Sequence, residues 1–105
     1  MKKIYDKLVR DKIPDILAQK GIAAQYHPAS LDEYKRKLLD KLGEEVAEFK
    51  KNPNLDELAD ILEVVLNLPG TIGHSANDLE AQRKKKLEER GGFFRKIILE
   101  WTEEK

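Results

Sequence analysis

The chain has 105 residues, with 20 lysines and arginines balanced by 20 aspartates and glutamates, so no net field draws it toward nucleic acid or an anionic membrane. It contains no cysteine, which excludes a disulfide framework, a thiolate metal site and a cysteine nucleophile. The length suits one domain over residues 1–105 with a modest core, which would gain from a second copy covering its apolar faces, and a homodimer or higher homo-oligomer is expected. The opening Met-Lys-Lys-Ile-Tyr-Asp lacks the apolar run of a signal peptide, and no stretch approaches the length of a membrane span, so a soluble cytoplasmic protein is expected.

Pro14 suits the first turn of a short helix that reaches about residue 20 and is ended by Gly21. Residues 22–27 then read as extended. Ser30-x-x-Glu33 has the spacing of a capping box and opens a long helix to about residue 51, where Asn52-Pro53-Asn54 breaks it. A second long helix over 55–68 is apolar around most of its circumference, and Pro69-Gly70 stops it. The two should form an antiparallel hairpin with the second helix central and buried. Another helix over 76–90 carries Arg83-Lys84-Lys85-Lys86 and ends at Gly91-Gly92. Residues 93–101 read as extended and are expected to pair with 22–27. The fold class is thus mainly α, an antiparallel helical bundle with a small two-stranded β element.

Two acidic clusters lie inside this apolar pattern. At 100° per residue, Leu31, Tyr34, Leu38, Leu42, Val46 and Phe49 form one stripe of the first long helix; Glu45 projects into its middle and Glu48 to its edge. In the next helix, Glu57 projects among Ile61, Val64 and Leu68, with Asp60 one turn on. Like charges about 4 Å apart repel by roughly 4 kcal/mol at an effective dielectric near 20, so converging carboxylates hold a proton or a metal. All-oxygen donors favour Mg²⁺ or Mn²⁺ over zinc. The competing explanation takes Asn54-x-x-Glu57 as a helix cap and the residues from Glu44 to Glu48 as a solvated face. It leaves Glu45 on the apolar stripe, in need of an ion or a lysine.

The cations offer two further candidates. Arg83, Lys86 and Arg90, at i, i+3 and i+7, align three positive charges on one helical face, which suits phosphates or an ordinary solvated surface bearing Glu88 and Glu89. The segment Lys7-Leu-Val-Arg10-Asp11-Lys12 is a second basic stretch, just before a helix. His27 and His74 have no second histidine at ligand spacing and read as structural or exposed. Trp101 and the nearby phenylalanines read as core or dimer interface rather than a stacking platform, and no Walker-type phosphate loop occurs.

Taken in order, the segment Tyr5-Asp6-Lys7-Leu8-Val9-Arg10-Asp11-Lys12-Ile13-Pro14, the two acid motifs, and Lys84-Lys85-Lys86-Leu87-Glu88-Glu89-Arg90-Gly91-Gly92-Phe93 resemble the MazG-like all-α nucleotide pyrophosphohydrolases. The similarity is to the phosphoribosyl-ATP pyrophosphohydrolase-like branch and covers nearly the whole chain. It implies Mg²⁺-dependent cleavage of the α–β phosphoanhydride of a nucleoside triphosphate, giving a monophosphate and pyrophosphate, in a role that clears noncanonical nucleotides. By the same resemblance Glu45, Glu48, Glu57 and Asp60 are metal ligands. Glu44, the doubled first acid of the motif, would help bind metal or orient the attacking water, so the resemblance makes Glu44, Glu45 and Glu48 the catalytic acids. Lys84, Lys86 and Arg90 would bind the departing pyrophosphate. Only eight residues separate Glu48 from Glu57, a short gap for this family, which makes the hairpin compact. Pro69-Gly70 ends the second helix early, near where the family shapes its base pocket, and Asn67 is the candidate base contact. The alternative is a non-catalytic helical module that binds a nucleotide or another helix around a structural Mg²⁺ site.

Overall fold

The computed structural model describes residues 1–104. It is mainly helical, with helices α1 (Ile13–Gln19), α2 (Leu31–Lys51), α3 (Leu55–Asn67) and α4 (Ala76–Arg90), and a 3₁₀ turn at Pro69–Ile72. Local chemistry accounts for the boundaries. Pro14 occupies the first turn of α1. Gly21, at φ +72°, closes that helix: its N–H donates to the Ala18 carbonyl and the Ile22 N–H to that of Leu17, the paired bonds of a Schellman ending. Ser30 caps α2 by accepting from the Glu33 N–H at 3.2 Å, but the Glu33 carboxylate binds His27 Nε2 at 2.9 Å, so the expected box is only half made. Asn54 caps α3, and Ser75 with Asp78 forms a complete capping box on α4.

Helices α2 and α3 pack as a hairpin, and α4 packs on the 3₁₀ turn. The core is small. Leu38 on α2 and Val64 on α3 are its buried hydrophobic side chains, at 3% and 8% exposure. Helix α3 is not the buried centre that its composition suggests: Leu58, Leu62 and Leu66 are exposed, because α2 covers one side of a helix that is apolar on more than one. A folded monomer of this mass exposes roughly 6,000 Å², whereas this chain exposes 10089 Å². Its radius of gyration is 18.7 Å, against about 13 Å for a compact chain of this length.

Among the described residues there is no strand, so the expected pairing of 22–27 with 93–101 does not form. A turn at Phe93, closed by the Lys96 N–H donating to the Phe93 carbonyl at 3.0 Å, follows α4. Helix α4 packs on the 3₁₀ turn, and residues 22–27 and the chain after Phe93 carry no ladder between them. No helix of the described chain is long and apolar enough to cross a membrane.

Candidate metal centre

The hairpin turn positions the acids. The Asn54 side chain accepts from the Glu57 N–H at 2.9 Å, fixing Glu57 in the first turn of α3, while its carboxylate turns toward α2. One turn on stands Asp60, and across the hairpin Glu45 projects from the apolar stripe. One carboxylate oxygen from each of Glu45, Glu57 and Asp60 lies within 4.8 Å of the others. Glu45 is buried, at 8% exposure, and the other two are half-buried. Glu48 is exposed and stands outside this triad. Its charge still reaches Glu57, whose carboxyl is pushed above the ordinary carboxylate range, first by loss of water and then by the charges of Asp60, Glu45, Glu48 and Asp56.

Cations surround the acids. Lys41, one turn before Glu45 on α2, places Nζ 3.4 Å from Glu45 Oε1 and 3.9 Å from Glu44 Oε1. Lysine is therefore the partner of the buried Glu45 here. Lys7 Nζ donates to Glu44 Oε1 at 2.8 Å, and this hydrogen bond holds the Glu44 carboxyl below its usual range. Arg10 Nη2 donates to Asp60 Oδ1 at 2.7 Å. Lys41 could have been read from its i, i+4 spacing to Glu45. Lys7 and Arg10 carried no such signal, since their partners lie on distant helices.

Between residues 8–13 and the hairpin lies a cleft of about 730 Å³, with Arg10, Lys12, Lys41, Glu45, Asp60 and Asn67 in its wall. That volume falls in the range of small-molecule sites. The Asn67 amide donates to the Glu63 backbone carbonyl at 2.8 Å and to Glu63 Oε2 at 2.9 Å, so its donors are turned along α3. Lys84, Lys86 and Arg90 are exposed on α4, and none lines the cleft. Arg83 is held in a fork by Glu80, with Nη2 to Oε1 at 2.6 Å. His74 pairs with Asp78 and His27 with Glu33, as structural histidines do.

Comparison of the chain with family models, with curated proteins and with solved structures gives no match in any of the three. The donor chemistry of the triad suits a hard divalent cation.

Proposed function

We propose that the chain hydrolyses the α–β phosphoanhydride of a nucleoside triphosphate or related nucleotide, releasing the monophosphate and pyrophosphate, as a MazG-like pyrophosphohydrolase dependent on Mg²⁺ or Mn²⁺. The observation that supports it is the convergence of Glu45, Glu57 and Asp60 from two helices, with Glu45 and Asp60 in the wall of a cleft of nucleotide size. A divalent cation held there would neutralise phosphate oxygens and polarise a water for attack at the α-phosphorus. Glu45, Glu57 and Asp60 would hold it, with Glu48 as the outer fourth donor. Glu44, kept anionic by Lys7, would accept the hydrogen bond that orients the water. Asn67, in the cleft wall, is the proposed base contact, through its side-chain carbonyl. The resemblance gives Lys84, Lys86 and Arg90 the pyrophosphate, which requires α4 of this chain or of a second copy to approach the cleft. A homodimer fits the excess exposed surface, and a cytoplasmic location fits a nucleotide substrate.

The test is a panel of nucleoside triphosphates with Mg²⁺, assayed separately for pyrophosphate and orthophosphate. Pyrophosphate should appear, and in ¹⁸O-water the label should enter the monophosphate. Orthophosphate as the primary product would sink the assignment. One observation favours a non-catalytic interaction module instead: Glu44, Glu45 and Asp60 already have lysine or arginine partners. That module predicts no turnover with metal still bound at its structural site; if the lysine and arginine partners replace the ion altogether, metal binding at the triad is absent as well.

A further inference from the structure

We propose that Arg10 is a substrate-binding residue that changes partners. Its guanidinium holds Asp60 until a divalent cation enters the triad, then turns to the polyphosphate chain of the metal-bound substrate. The inference rests on the metal-dependent reading above. Arg10 Nη2 sits 2.7 Å from Asp60 Oδ1, and Asp60 supplies one of the three oxygens of the triad. A guanidinium and a dication on one carboxylate repel each other, so a filled triad favours release of Arg10. The released side chain stays in the cleft, because the backbone on both sides of it is pinned. Lys37 Nζ donates to the Asp6 carbonyl at 2.7 Å, and the Ile13 N–H at the start of α1 donates to the Arg10 carbonyl at 3.1 Å. The Arg10 side chain itself is 56% exposed, so little packing resists its rotation. Its neighbours in the cleft wall, Lys12 and Lys41, add positive charge to the same space. Guanidinium is always charged and presents a donor fork that matches two phosphate oxygens, which a lysine cannot reproduce.

Two effects of opposite sign follow for Arg10→Gln, which keeps much of the stem. Without nucleotide, Mn²⁺ binding followed by electron paramagnetic resonance should tighten about threefold to tenfold, because a competitor for Asp60 is gone. With saturating Mn²⁺, inorganic tripolyphosphate should bind about tenfold or more weakly, the loss of one charge-assisted contact. Arg10→Lys should recover only part of that loss, and orthophosphate, too short to span metal and Arg10, should show little change. Weaker Mn²⁺ binding by Arg10→Gln would make Arg10 a fixed partner that orients Asp60 and would overturn the exchange, as would unchanged affinity for tripolyphosphate. Failure of the unaltered protein to bind Mn²⁺ would remove the metal site itself, and Arg10 with it, a result distinct from either.

Discussion

At the residue scale, the site is a balance of like charges held together by neighbouring cations, and the individual acids respond to pH in opposite senses. Glu57 is raised above its ordinary value, so the native state holds its proton more tightly than the unfolded chain does. As pH climbs from about 4.5 through the higher folded value, ionisation of Glu57 therefore lowers stability. Glu57→Gln should raise the thermal midpoint above that window and leave it unchanged below. Under the proposed metal-dependent function, saturating Mg²⁺ should abolish the advantage, because the variant would lack one of the ion's proposed ligands. Midpoints measured across pH with and without Mg²⁺ check both signs. Glu44 behaves oppositely: its depressed value stabilises the fold above the unfolded value and loses that contribution as pH falls through the folded one. Lys7→Ala should flatten this acid limb. At Glu45, Gln should nearly abolish turnover while leaving the fold intact, since a buried charge is removed and Lys41 keeps the Glu44 carboxylate, 3.9 Å away, as a partner. Full activity in Glu45→Gln, assayed as pyrophosphate release, would exclude it as a ligand.

The helices themselves were legible because their signals are local. Pro14, Gly21, Ser30, Asn54 and Gly91 each act within a turn of where they stand, and the bounds of α2 and α4 follow from them. The convergence of Glu45 with Glu57 and Asp60 was legible for the same reason, since a hairpin with a short turn leaves little choice of facing residues. What could not be read was tertiary. Lys7 and Arg10 meet Glu44 and Asp60 across the fold, and the extended segments 22–27 and 93–101 have the composition of paired strands without a connection that aligns them. The caps allow a direct comparison between elements. Asn54→Ala and Ser75→Ala should each destabilise their helix by about 1 kcal/mol. Only Asn54→Ala should also weaken metal binding, because Asn54 fixes the turn that carries Glu57, whereas Ser75 starts a helix outside the cleft wall. Titration calorimetry with Mn²⁺ on both variants decides it, and equal losses would show that α4 contributes to the site.

For the whole molecule, the exposed leucines of α3 and the aromatic residues beyond α4 describe a chain that needs more cover than it supplies to itself. Self-association should therefore appear at micromolar concentration, and the thermal midpoint should rise with protein concentration. Sedimentation showing only a 12.1 kDa species would contradict this. The acid triad, by contrast, lies within one hairpin, and this has a consequence for how the chain folds. Closing the short loop between α2 and α3 loses little entropy, so this hairpin should form early. At that moment Glu45, Glu57 and Asp60 meet before Arg10, far away in sequence, has been delivered to them. A divalent cation would then be the counterion nearest to hand, and it would template the hairpin rather than decorate a finished fold. Mg²⁺ should accordingly speed refolding in stopped-flow experiments. If it acts only by slowing unfolding, the triad assembles after the transition state, and the N-terminal segment arrives first.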